Sequence, residues 1–144
     1  MTPEQIELVQ KTLVAARPIL DRIAADFYSR IMAADEQVGE LFLTDPELQR
    51  AKFVAELDAV VSSIQDHDAL MARTAVLGVT HRDFGVRAVH YRIAGTALFD
   101  ALADALGSAW TPEVAEAWHL AYSLVSEAMM GAQDRSGLQI DGST

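Results

Sequence analysis

The residues of this chain best suited to bind a metal ion are its four histidines, because the sequence contains no cysteine. His67 lies in the polar stretch QDHD and is predicted to be solvated in a turn, and His119 to be exposed or packed between helices. His90 is predicted to cap or pack at the start of a helix, away from any metal. His81 differs, because it follows Leu77 by one helical turn and shares its face. His81 is therefore the candidate metal ligand, although its spacing alone leaves a structural role open.

The elements that must position these residues carry clear helix start signals. A helix often begins with a Ser, Thr or Asp cap followed by proline in the first turn. All four prolines stand where such a start is expected, and none interrupts a periodic stretch. The four starts are Thr2-Pro3, Pro18, Asp45-Pro46 and Thr111-Pro112.

Between these starts, apolar residues recur every three or four positions, which is typical of helices that bury one face. Two clear examples are the runs Leu20, Ile23, Phe27, Ile31 and Val114, Trp118, Ala121, Val125. The predicted fold class is all-α, with six or seven helices and a stop at Gly107. Residues 33–45 and 82–87 are expected to be irregular connections. Residues 1–134 are expected to form one domain, followed by a polar, disordered tail over 135–144.

Composition argues against several kinds of partner. The 144 residues carry a formal net charge of -10 and no basic run, so neither a nucleic acid nor an anionic membrane surface is expected to bind. No apolar stretch approaches the ~20 residues that a membrane-spanning helix needs. The opening MTPEQIELVQ lacks the pattern of a signal peptide, so a cytoplasmic location is expected.

The segment that contains His81 resembles a known family. LGVTHRDFGVRAVHYRIAGTAL, residues 77–98, is similar to the proximal side of the globins found in bacterial haemoglobins and flavohaemoglobins, with His81, Gly85-Val86 and His90-Tyr91 at the family's spacing. The pieces DFYSRI, ELF and WTPEVAEAWHLAY extend the resemblance over nearly the whole chain. The resemblance implies a globin fold around one pocket that holds haem b.

The resemblance also implies how the haem would be held. His81 would bind the iron through Nε2, while its Nδ1–H would be donated to a backbone carbonyl or a side chain that fixes the ring. The residues expected to surround the haem are Phe42, Phe53, Leu77, Val86 and Tyr91.

On the opposite, distal face of the haem, the resemblance implies a polar pair. Tyr28 and Gln49 would donate hydrogen bonds to a bound gas, and Phe53 would help to exclude water. Phe53 stands where leucine is more familiar in the family, and its bulk would narrow the pocket. A register shifted by one residue would instead bring Arg50 and Val54 to the distal face.

One proximal position departs from the family's pattern. Gln133 stands where flavohaemoglobins have a glutamate that hydrogen-bonds the proximal histidine. A neutral amide cannot draw proton density from His81 as a carboxylate would, so a weaker electron push towards bound oxygen is expected. The sequence also contains no Gly-rich dinucleotide loop, so a reductase would have to be a separate protein.

Together these features predict a haem-binding globin that reversibly binds O2, and also CO and NO, for oxygen binding or transport. Two alternatives stay open. One is a nitric oxide dioxygenase that depends on an external reductase, and the other is a haem-based gas sensor. A monomer or a weak homodimer is expected.

Overall fold

The computed structural model describes residues 1–41, 45–83 and 85–142, and within them the secondary structure is entirely helical. The all-α prediction is therefore confirmed, with six α-helices in the described parts of the chain. The helices are α1 Pro3–Ala16, α2 Leu20–Ala34, α3 Pro46–Ser63, α4 His67–Asp83, α5 Ala88–Leu106 and α6 Pro112–Gly142. Three short 3-10 helices span Arg17–Ile19, Glu36–Leu41 and Gly107–Ala109.

Three helices begin at the caps that the sequence predicts. The Thr2 hydroxyl accepts the Gln5 N–H at 3.1 Å at the start of α1, and the Asp45 carboxylate accepts the Glu47 N–H at 3.0 Å at the start of α3. The Thr111 hydroxyl accepts a backbone N–H of α6 at 3.2 Å. Each cap satisfies an amide that would otherwise lack a partner, which stabilises a helix by about 0.5–2 kcal/mol.

Two glycines lie where helices end, one in the turn after α4 and one directly after α5. Gly85 has a φ of +85° in the turn between α4 and α5, and Gly107 has a φ of +54° directly after α5. These angles lie in the left-handed region that only glycine adopts without strain. The break predicted over residues 82–87 and the stop at Gly107 are both confirmed.

The core lies where α2 packs against α5 and where α6 packs against α1 and α4. Large apolar side chains from four of these helices fill it. Fully or almost fully buried examples are Val9, Leu13, Ile23, Phe27, Leu98, Leu102 and Trp118.

Two further glycines let α6 approach its neighbours closely. A Cβ atom at Gly78 of α4 would lie 2.3 Å from the Met129 backbone oxygen, and one at Gly95 of α5 would lie 2.7 Å from the Tyr122 ring. A side chain at Gly78 would therefore push α4 off α6. Gly78 precedes His81 by less than one turn of α4. The close approach of Gly78 to α6 therefore constrains the position of His81 relative to α6.

The last helix is described as far as Gly142, so it continues into the stretch for which a separate tail is expected. The domain boundary at residue 134 stays a prediction. No helix in the portion of the chain that the structure describes is long and apolar enough to span a membrane.

Candidate functional site

His81 lies in the last turn of α4, and its ring is held by its own helix. Nδ1 is 2.7 Å from the backbone oxygen of Leu77. Because a carbonyl oxygen can only accept a hydrogen bond, Nδ1 must carry the proton. In the neutral imidazole this tautomer leaves the lone pair on Nε2, the atom that can bind a metal ion. Among the residues that the structure describes, Nε2 has no hydrogen-bond partner.

Behind His81, Tyr91 and Gln133 connect α5 and α6 to the turn after α4. The rings of His81 and Tyr91 are stacked, with centroids 6.2 Å apart and 24° between their planes. The Tyr91 hydroxyl donates to Gln133 Oε1 at 2.8 Å, and Gln133 Nε2 donates to the Val86 carbonyl at 2.8 Å. Tyr122 of α6 donates its hydroxyl proton to the Tyr91 backbone oxygen. The side chains of His81, Tyr91, Gln133 and Tyr122 thus form one connected group, and Val86 joins it through its backbone carbonyl.

Burial sets the protonation of the tyrosines in this group. It raises the pKa of Tyr91 from its ordinary value of 10.0 to about 12. The pKa of Tyr122 is also raised, first by burial and then by the neighbouring charge that Tyr91 would carry if ionised. Both phenols therefore stay protonated, and can donate the hydrogen bonds described above, throughout the neutral range.

Tyr28 and Gln49 come together on the helices α2 and α3. Gln49 Nε2 donates to the Tyr28 hydroxyl at 3.2 Å. Phe53, one turn after Gln49, stacks on Phe27 with ring centroids 4.4 Å apart and contacts the Tyr28 ring edge to face at 5.8 Å. Burial raises the pKa of Tyr28, and the hydrogen bond from Gln49 partly opposes that rise.

Arg50 faces a different direction from Gln49. Its Nε is 3.3 Å from the Asp21 carboxylate, on a part of the surface where Asp21 is exposed. The structure thus brings Gln49, rather than Arg50, to Tyr28. Val54 packs against the apolar core as a partly buried residue.

A cleft lies between α3 and α4, the helices that carry Gln49 and His81. The cleft is open to solvent and has a volume of about 390 Å³, which is near the lower end of the size range of small-molecule and cofactor sites. Its described lining comes from α3 and α4 and includes Leu77, and the ion pair between Arg73 Nη1 and Glu56 Oε2, 3.0 Å long, joins the two helices there. Phe42, the remaining predicted site residue, lies outside the described residues.

The other histidines are placed differently from His81. His90 Nδ1 accepts the Arg87 N–H at 2.8 Å, so its ring caps the start of α5. His119 is exposed and stacks on Phe99, with ring centroids 3.9 Å apart. His67 is exposed but begins α4, rather than lying in the predicted turn. Within the described ranges, no cluster of three or more His, Cys, Asp or Glu side chains could hold a metal ion.

These residues fit a flat cofactor that brings its own metal. His81 supplies one neutral imidazole, and a single protein ligand is enough when a macrocycle provides the others. Leu77 is a half-buried apolar side chain in the lining of the cleft, where a bound cofactor would cover it. Phe53 and Val86 are also half-buried but are not among the described lining residues. Sequence reasoning missed the bond from Gln133 to Val86 and the one from Tyr122 to Tyr91, and no local pattern signals contacts between residues this far apart in the chain.

Comparison with known proteins gives a consistent family. The family model described as Globin matches residues 25–129. The flavohemoprotein of Bacillus subtilis is 28% identical over 131 residues, which are 89% of this chain and 33% of that protein. The chain thus spans about a third of the length of this relative.

Solved structures share the arrangement of helices. An engineered carbene transferase made from a candidate nitric oxide dioxygenase of Rhodothermus marinus has a TM-score of 0.87 at 25% identity, covering 98% of this chain and 99% of that one. A bacterial globin from Campylobacter jejuni has a TM-score of 0.82 at 18% identity, covering 93% and 97%. The predicted globin fold is thereby confirmed.

Proposed function

Because this chain belongs to the globin family, we propose that it binds haem b in the cleft between α3 and α4 and reversibly binds O2 there. The observation that carries the proposal is the 2.7 Å contact from His81 Nδ1 to the Leu77 carbonyl. This contact fixes the tautomer and orientation in which Nε2 can bind iron. Other diatomic gases, CO and NO, would bind at the same place.

When bound, haem supplies the iron atom to which the gas coordinates. The residues of the chain then have separate tasks. His81 would hold the iron on the proximal side, where Leu77, Val86 and Tyr91 would contact the cofactor. On the distal side Tyr28 and Gln49 supply hydrogen bonds that favour a gas carrying partial negative charge, because such bonds are stronger than those to neutral groups.

Phe53, and by expectation Phe42, would exclude water from the distal side. An apolar barrier there would keep water away from the iron that a bound haem would supply. The contacts of Phe53 with Phe27 and Tyr28 support this role, because they hold its ring beside the Tyr28–Gln49 pair.

Nitric oxide dioxygenation with a separate reductase is the second candidate function. It is supported by the similarity to the Rhodothermus marinus protein, which covers nearly all of both chains. A bound haem would supply the iron at which O2 and NO are converted to nitrate, and a separate reductase would have to supply the electron that returns the iron to its ferrous state. The cytoplasmic location and the monomeric or weakly dimeric state stay predictions.

The first test is an absorption spectrum of the purified, reduced protein before and after exposure to air. We expect a five-coordinate ferrous haem that becomes a persistent oxygenated form. A six-coordinate ferrous spectrum that resists air, or a protein without haem, would contradict the proposal. Addition of NO to the oxygenated form separates the two functions, since rapid and stoichiometric conversion to ferric haem and nitrate favours the dioxygenase.

A further inference from the structure

Gln133 of α6 makes two hydrogen bonds that require opposite chemistry. Its Oε1 accepts a proton from the Tyr91 hydroxyl, and its Nε2 donates one to the Val86 carbonyl, each at 2.8 Å. A carboxamide can do both, because it has an acceptor at one position and donors at the other. A carboxylate could keep only the first bond, and it would face the Val86 carbonyl with a second acceptor.

Both hydrogen bonds lead to His81 by different routes. Through the first route, which we term the Val86 arm, Gln133 holds the Val86 carbonyl while the Val86 N–H donates to the His81 backbone oxygen at 3.0 Å. Through the second, the Tyr91 arm, Gln133 holds the hydroxyl of the ring that stacks on the His81 imidazole. One side chain therefore restrains both the main chain and the ring of His81.

The restraint carries no charge. His81 Nδ1 is bonded to the Leu77 carbonyl of its own helix. Among the described residues, the Gln133 amide is hydrogen-bonded to Tyr91 and Val86, and no hydrogen bond joins it to His81. None of these contacts places a charged side chain against His81.

We propose that Gln133 is a positioning residue of the proximal side. It sets the location of His81 through the Val86 arm and the orientation of the imidazole through the Tyr91 arm. This inference rests on the proposed function, because it treats His81 as the iron ligand.

Four variants of the full, haem-loaded chain separate the two arms. Gln133→Met removes both arms at nearly constant volume, and Gln133→Glu removes the Val86 arm alone. Tyr91→Phe removes the Tyr91 arm alone. Ser126→Ala is the matched control, because Ser126 is a buried residue of the same helix whose hydroxyl bonds only to the Ser123 carbonyl of its own helix.

Two measurements report on the arms independently. Hydrogen exchange of the Val86 amide, followed by NMR in the diamagnetic CO-bound form, reports on the Val86 arm. We expect exchange to become about three- to tenfold faster in Gln133→Met and Gln133→Glu, as for loss of one hydrogen bond, and to stay unchanged in Tyr91→Phe and Ser126→Ala. The iron–Nε2 stretching band of the ferrous form should broaden in Gln133→Met and Tyr91→Phe, because the imidazole then samples more orientations.

Unchanged Val86 exchange together with an unchanged band in Gln133→Met would overturn the inference, and so would wild-type exchange in Gln133→Glu. Failure of the proposed function looks different, since the wild-type protein would then lack an iron–Nε2 band altogether. In that case the Val86 exchange rates of the same variants, measured by NMR on the haem-free protein, would still show whether Gln133 restrains the turn after α4.

Discussion

The two sides of the cleft are held by different kinds of contact. On the proximal side, main-chain groups take part in three of the links around His81, at the Leu77 carbonyl, the Val86 peptide and the Tyr91 carbonyl. The Tyr91–Gln133 bond and the His81–Tyr91 ring contact join side chains. On the distal side, Tyr28 and Gln49 meet through their side chains. The Leu77 and Tyr91 carbonyls belong to helices and move with them, whereas the half-buried Tyr28 and Gln49 side chains can change rotamer without moving a helix. The difference suits the proposed roles, in which one side would hold the iron of the cofactor and the other would admit a gas.

The helices that carry these contacts, α4 and α3, also differ in how deeply they are buried. α4 buries Leu70, Thr74 and Gly78, and Gly78 lies directly against the α6 backbone. Along α3, every residue of which is described, only Val61 is buried. The helix α4 therefore packs into the core through buried residues, whereas α3 packs against the core mainly through half-buried side chains. A bound cofactor would cover the half-buried face of α3, so occupancy of the cleft would stabilise the position of α3 more than that of α4.

Removal of the proximal ligand is expected to have the largest effect on this comparison. His81→Ala should abolish stoichiometric haem binding, because no other described side chain is placed as His81 is, and added imidazole should restore part of it. Haem content per chain, measured by the pyridine haemochrome assay, gives the result. His67→Ala, at the exposed start of the same helix, is the control and should keep its haem. A normal haem spectrum in His81→Ala would refute the assignment of the ligand.

Changes to the distal pair should have a smaller, kinetic effect. Tyr28→Phe and Gln49→Leu are each expected to speed O2 release at least about tenfold, since a hydrogen bond to a partly charged ligand contributes about 1.5–3 kcal/mol. Stopped-flow displacement of O2 by CO measures the rate. The double variant should fall short of the product of the two single effects, because the two side chains bond to each other.

Arg50→Leu is the matched control for the distal register. Arg50 pairs with the exposed Asp21, and such pairs contribute about 0–1 kcal/mol, so O2 release should change by less than about twofold. A larger effect from Arg50→Leu than from Gln49→Leu would mean that the alternative register is right.

Much of the fold could be predicted from the sequence, because its signals are local. The caps at Thr2, Asp45 and Thr111 act within one turn, and the glycines after α4 and α5 act through their own φ angles. The caps and the glycines depend on residues that are near neighbours along the chain. The pairing of Tyr28 with Gln49, which lie 21 residues apart, rests instead on the family resemblance and on a register counted from Phe42.

The proximal links could not be predicted in the same way. The bond between Gln133 and Val86 depends on how far α6 slides along α4, which Gly78 and Met129 determine through close backbone contact. The sequence does identify Gln133 as a departure from the family's pattern. It does not show that the amide, instead of facing His81, spans Tyr91 and Val86, because that geometry exists only when three helices are assembled.

The smallest expected effect concerns the ion pair at the edge of the cleft. Arg73 and Glu56 join α4 to α3 with both side chains about 40% exposed (39% and 45%), so solvent screens their attraction. Arg73→Met should therefore speed haem loss to an apoglobin acceptor by only about two- to fivefold, corresponding to at most about 1 kcal/mol. Arg17→Met is the matched control, because it breaks a similarly exposed pair with Asp58 of the same helix α3.

If the Glu56–Arg73 pair restrains the looser helix, added salt should speed haem loss from the wild type and have little further effect on Arg73→Met. Equal rates of haem loss for Arg73→Met and Arg17→Met would instead mean that the Glu56–Arg73 pair does not help to retain haem and that apolar contacts alone do so. In that event α3 would be positioned by Phe53 and its stacked partner Phe27, and the contrast between the two sides would rest on burial rather than on charge.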